Sequence, residues 1–306
     1  MSLVHAVRSR LGATISLKLA VVLLVMTGLA ATIITLNQAR QMEELTLEKA
    51  RLAATIGARQ YGDVFDAAID SGLLTVGDVF DRSYVQIKGW AWGDKPKFHT
   101  RYDTFTDKAV LVFQDKFLDY QDFIFAVGVD ANGYLPTHNT RFQKPLTGTP
   151  EKDVPGNRTK RIFDDPVGLA AAKNVQPSLQ QVYRRDTGET MWDVSTPISV
   201  KGKHWGGFRI GVSMERIEAR KATLLGTLAG IFAVFVLVTI ATLFVVVQSA
   251  MRPVRALTEA AEAISMGDGL ETPIKTAAVD EIGLLTKAVE RLRISMKAAM
   301  SRLGGQ

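Results

Sequence analysis

Two uninterrupted apolar stretches, residues 19–36 and 222–247, bracket a long polar segment. As helices at about 1.5 Å per residue they reach roughly 27 and 39 Å, against a hydrocarbon core of about 30 Å. Neither contains a charge, and Lys18 and Lys221 stand at their ends, where a long side chain can snorkel to headgroups. The pattern predicts two transmembrane helices, with residues 1–18 before the first and residues 37–221 between them. A cleaved signal peptide is the competing reading of the first run, which is longer than a usual h-region.

Within 37–221 the period changes partway. Leu45, Leu52, Ile56, Phe65 and Ile69 recur at near-helical spacing, so the first helix is expected to continue out of the membrane and be followed by a second, to about residue 82. A third is expected over 105–120, with Val110, Phe113 and Phe117 on one face. Then strands take over. Residues 123–129 read as a buried strand, Asp130-Ala131-Asn132-Gly133 as a hairpin turn, and 134–139 as the returning strand. A loop with Pro145, Pro150 and Pro155 precedes a short helix near 166–174. Three strands close the segment at 179–185, 190–200 and 204–214, joined by tight-turn chemistry. The fold class predicted is α+β: a long helix, then an antiparallel sheet of about five strands with a helical crossing, the last strand running directly into the second membrane helix.

After that helix, Val254, Leu257, Ala261 and Ile264 form one seam at heptad spacing, and Ile282, Leu285, Val289, Leu292 and Met296 form another. Pro253 is placed in the first turn of the first seam helix, and Met266-Gly267-Asp268-Gly269 ends it. Asp280 and Glu281 open the second helix, where negative charge suits the macrodipole. Helices of about two heptads are too short to stand alone in water, and connector residues Leu270 and Ile274 would be stranded. A homodimer making a four-helix bundle removes both problems.

Residues 250–298 resemble a HAMP domain in the Pro253 start, the connector with Leu270 and Ile274 four apart, and Asp280-Glu281-Ile282-Gly283. The resemblance implies a signal relay through Pro253, Leu257, Ala261, Leu270, Ile274, Glu281, Leu285 and Val289. Residues 37–221 resemble the extracellular PAS-like Cache domains of bacterial chemoreceptors and sensor kinases. The residues that carry this are Asp130 to Tyr134 with His138-Asn139, Asp193 to Ile198, and Trp205-Gly206-Gly207-Phe208. That family often has proline after the histidine where this chain has Asn139. The two resemblances together imply a bacterial transmembrane sensor of the inner membrane.

Charge orients the spans. Arg8, Arg10, Lys18 and Arg40 flank the first without any Asp or Glu before Glu43, and Arg252 and Arg255 follow the second, so both termini are expected in the cytoplasm. The net charge of +6 is largely these juxtamembrane residues facing anionic lipid, and no basic stripe with interleaved aromatics points to nucleic acid. There is no cysteine, hence no disulfide and no covalent haem attachment. Residues 299–306 carry no kinase, cyclase or methyl-accepting pattern, so a separate output protein, or truncation of a longer receptor, is expected.

Candidate chemistry lies on the strands. Met191, Asp193 and Ser195 share one face and Trp192, Val194 and Thr196 the other, and Tyr183 and Arg185 oppose Val182 and Arg184. Asp193 in mid-strand either binds something cationic or pairs with Arg185 or Arg209. Tyr134, His138, Asn139, Tyr183, Arg185 and Asp193 are the candidate ligand-binding residues for a small polar metabolite, an organic acid or amine. A lone histidine on a strand is more often a hydrogen-bonded core residue than a ligand, and this is the competing reading of His138; Trp90 and Trp92 are readable as a lid or as core. No nucleophile motif, phosphate loop or H-E-x-x-H pair is present, so no catalytic residue, metal or cofactor is assigned. Two other classes stay open: a sensor holding haem noncovalently through His99, His138 or His204, and a tethered periplasmic enzyme.

Overall fold

The computed structural model describes residues 3–88, 95–185, 188–275 and 281–303, with side chains from residue 18 onward. Trp90, Trp92 and Asp280 lie outside the described residues. The chain divides into one compact unit over Leu36–Leu225 and a second made from the flanking stretches.

In the first unit, α1 (Leu3–Asp70) arrives as one unbroken helix and is followed by the single turn α2 (Val76–Val79), capped by Thr75 and Asp78 in a reciprocal box. A short antiparallel pair follows, β1 (Val85–Gln86) with β2 (Phe98–His99). The helix expected over 105–120 is instead broken into α3 (Asp103–Ala109), α4 (Leu111–Lys116) and a 3₁₀ turn over Phe117–Asp119. The apolar face still holds: Val110 is buried, and Phe113 and Phe117 pack on the core.

Next come β3 (Phe123–Asp130), β4 (Tyr134–Leu135), α5 (Pro150–Gly156), β5 (Arg161–Ile162), α6 (Pro166–Lys173), β6 (Leu179–Arg184), β7 (Thr190–Val200) and β8 (Lys203–Ser213). The main sheet has the order β3-β8-β7-β6, all antiparallel. This corrects the expected hairpin. Residues 130–133 do turn, with the Asp130 carboxylate accepting the N–H groups of Asn132 and Tyr134 at 2.9 Å and Gly133 at φ +82°. The chain then leaves the sheet. Tyr134 and Leu135 pair with Ile162 and Arg161, while the last strand takes the place beside β3. Pro136 has no N–H to extend the pairing, and the Tyr134 hydroxyl is drawn to Asp103 at 2.9 Å.

Both faces of the sheet carry apolar clusters. On one, α1 lies close through Ala50, Ala53, Ala54, Gly57, Ala58, Tyr61 and Phe65, packed against Phe208, Trp205 and Ile210. Small residues permit that approach: a Cβ on Gly57 would sit 2.1 Å from the Phe208 ring. The leucine stripe faces outward, with Leu45, Leu52 and Ile56 at 56, 61 and 43% exposure. The opposite face carries Phe125, Val127, Val129, Leu135 and Met191.

The remaining helices are α7 (Met214–Ser265), whose first turns to Leu225 belong to the first unit and whose remainder belongs to the second, and α8 (Glu281–Leu303) in the second unit. Both α1 and α7 contain stretches long and apolar enough to cross a membrane, with Val21, Val25, Ile33, Val234 and Leu237 turned outward. Pro253 lies inside α7 rather than at a helix start. A proline there removes one backbone bond, which a helix already running from the span can lose without ending. The stop falls where expected: Gly267 and Gly269 adopt φ +87° and +69°, and Asp268 N–H bonds back to Ala263.

Candidate functional site: an arginine-lined cavity

The face of the sheet away from α1 opens into a cavity of about 320 Å³. Its floor is Phe125, Val127 and Val129 of β3 with Arg209 of β8; its walls are His138, Tyr183, Arg185, Arg158, Arg161 and Phe163. Alternation along β3 and β8 sends every second side chain to this side.

Four of the lining arginines are backed by rings. Arg185 lies 4.6 Å from the Phe142 ring centre, Arg209 5.8 Å from Phe125, and Arg158 and Arg161 5.2 and 5.1 Å from Phe163. Stacking fixes the plane of a guanidinium while leaving its N–H edge available. The Arg209 Nε donates to Asp193 at 3.0 Å. Arg185 Nη1 meets Glu189 at 3.3 Å, and its Nη2 is buried with no partner among the described residues. Burial and the neighbouring Arg158 charge both pull the Arg185 pKa down.

His138 is fully enclosed between Phe125 and Phe142. Its Nδ1 accepts the Asn139 N–H at 2.7 Å, which leaves Nε2–H as the ring's donor. Burial, then the Arg158, Arg185, Arg161 and Arg209 charges, hold its pKa well below the usual imidazole range. Behind the wall, Lys97 Nζ donates to Asn157 Oδ1, Asn157 O and Thr159 O at 2.7, 3.1 and 2.6 Å, pinning the loop that carries Arg158. Burial and the Arg161, Lys160 and Arg158 charges lower Lys97 to about 7.

Of the six residues expected to bind ligand, His138, Tyr183 and Arg185 line the cavity. Asp193 is fully buried beneath it and reaches it through Arg209; burial raises its carboxyl pKa and the guanidinium works against that. Tyr134 and Asn139 lie outside the lining. Tyr134 OH bonds Asp103, and Asn139 brackets Ala126 N–H at 2.8 Å and Gln114 O at 2.9 Å. Sequence reasoning passed over Arg158, Arg161 and Phe163, for which the basic cluster in 157–163 was the available signal, and named Arg209 only as a partner for Asp193. His99 sits beside Asp103 at 3.4 Å, and His204 bonds Ala172 O.

In the second unit, Leu257 and Ile264 are buried, Val254, Ala261, Leu270, Ile274 and Val289 are half-buried, and Leu285 and Leu292 are 49 and 57% exposed. Glu281 is the exposed first residue of α8. The connector is tied to α8 by Glu290, which accepts the Ile274 N–H at 2.9 Å and pairs with Arg293 at 2.7 Å; Arg293 in turn bonds Leu270 O. The Arg293 hydrogen bonds hold Glu290 at about 2.

Residues 245–298 match the HAMP domain. The chain therefore carries a HAMP segment directly after its second apolar helix, in a molecule of mixed helix and sheet. No curated protein matches the chain. Among solved structures, the sensor domain of DcuS from E. coli is similar at 18% identity with a TM-score of 0.28, over 37% of this chain and 72% of that one.

Proposed function

We propose that this protein is a transmembrane sensor that binds a small organic anion outside the bacterial inner membrane and relays the event through α7 and the HAMP segment. The observation that carries the ligand class is Arg185 Nη2, a buried charged donor without a partner among the described residues, in a cavity walled by further arginines. Leaving such a donor unpaired is costly, and a carboxylate would satisfy it. Asp164 and Asp165 also line the cavity, but against them stand Lys95 and five arginines, so of the two ligand classes expected the acid is favoured. A volume of about 320 Å³ fits a small metabolite.

Both termini lie in the cytoplasm in this reading, from the flanking Arg and Lys residues. The half-exposed Leu285 and Leu292 support a homodimer in which a second copy covers them. In this reading the chain is a signalling receptor rather than an enzyme.

Isothermal titration of the full chain in nanodiscs with acetate, succinate, citrate and putrescine tests the ligand class. At least one carboxylate is expected to bind, and Arg185→Met to weaken it by about 30-fold or more. Binding of putrescine in preference to every carboxylate would overturn the assignment.

A further inference from the structure

The start of α7 is fastened to the residues that lead into β3. Arg216 donates to the Gln121 carbonyl. One turn later, Arg220 Nη1 reaches Asp122 Oδ2 at 2.8 Å and Nη2 reaches Gln121 Oε1 at 3.2 Å. The two arginines are four apart and share a helix face. Asp122 is almost wholly buried, with Oδ1 lacking a partner, and its carbonyl accepts the Ser213 N–H at 3.1 Å. On the same turn Lys221 pairs with Glu43 of α1.

This polar clamp sits at one end of a strand whose other residues floor the cavity. β3 places Phe125, Val127 and Val129 in the cavity lining, and its ladder with β8 is irregular between Phe123 and Phe125, next to the clamp. A bulge interrupts pairing, so β3 can shift against β8 at that point without breaking the rest of the ladder. An exposed ion pair would hold such a shift weakly. Here the Arg220 side chain is 47% exposed, but the carboxylate is buried, its residue shares a ladder-end hydrogen bond, and Gln121 adds contacts to Arg216 and Arg220, so displacement of Asp122 is passed to Arg220.

We propose that Gln121 and Asp122, held by Arg216 and Arg220, form a coupling route from the cavity to α7 beside the covalent step from Ser213 to Met214, so that cutting the clamp separates ligand binding from output. The inference rests on the sensor reading above. Arg220 acts as a positioning residue and touches no ligand.

The test uses the full chain in nanodiscs, with succinate and citrate as probes and hydrogen–deuterium exchange over 281–303 as readout. In wild type the probe is expected to change exchange there by about fivefold. Arg220→Ala should lose that change while its affinity stays within the coupling factor of wild type, about fivefold, and Arg220→Lys should retain it. Arg216→Ala repeats the cut at a second atom. Both alanine variants keeping wild-type basal exchange and wild-type response would overturn the clamp. If no probe binds wild type, the ligand assignment fails, and basal exchange decides the clamp: a shift in Arg220→Ala absent from Arg220→Lys supports it, and no shift overturns it.

Discussion

His138 shows how a single side chain takes its properties from what surrounds it. With Nδ1 accepting a backbone N–H and four guanidiniums nearby, the imidazole is held neutral. As pH falls below about 6.5 the unfolded chain takes up a proton that the folded chain refuses. Stability is therefore full above that value and lost on acidification, at up to about 1.4 kcal/mol per pH unit, until the folded ring also titrates. Urea unfolding of the full chain at pH 7.5, 6.5 and 5.5 should show this loss in wild type and a shallower one in His138→Gln. Equal slopes would remove His138 as the cause. A bound carboxylate should reduce the loss, because it offsets the arginine charge that opposes protonation. The residue pattern made part of this legible: period-two alternation put Tyr183 on one face and Asp193 on the same face as Met191. It could not show that residues 158–161 close over that face, because a loop sequence carries no record of which distant surface it covers.

The elements follow the same division. Local patterns located β3, β6, β7, β8 and α6 to within a residue or two, since each is a run with its own period and turn signals. Pairing was misread where it is long-range. Nothing in 123–139 says that β3 takes the last strand as its neighbour, and a good turn at 130–133 argued for the nearer one. The helix α1 misleads in another way: Leu45, Leu52 and Ile56 point outward, while its alanines, Gly57 and the rings of Tyr61 and Phe65 meet the sheet, because close approach to aromatic rings leaves room for small residues beside them. On the sheet side Gly128 does the corresponding work, where a Cβ would lie 2.4 Å from the Tyr61 ring. Gly128→Val is expected to overpack this contact and cost about 1–3 kcal/mol, read as a lower urea midpoint. A midpoint within error of wild type would mean that α1 can lift from the sheet freely.

At the scale of the molecule, a ligand can move a two-state element only by its difference in affinity for the two states, typically about 1–3 kcal/mol. The element that reads it must then have two packings of nearly equal energy. In the HAMP segment Ala261 is half-buried in one seam while Leu285 and Leu292 remain about half-exposed, so neither seam is filled by one chain. A second copy would bury the leucines, yet the alanine keeps the bundle under-packed and inexpensive to rearrange. Leu285→Cys in membranes should therefore form disulfide-linked dimers, at a rate that the carboxylate probe alters. Monomer alone under oxidising conditions would refute dimerisation through this seam. Adding Ala261→Leu to the same chain fills the seam and favours whichever packing accommodates the larger side chain. The crosslinking rate should then be fixed near one of the wild-type extremes and no longer respond to probe, while carboxylate affinity changes by no more than the coupling factor, about fivefold. A crosslinking rate that still follows the probe in Ala261→Leu would show that the relay does not depend on rearranging this seam.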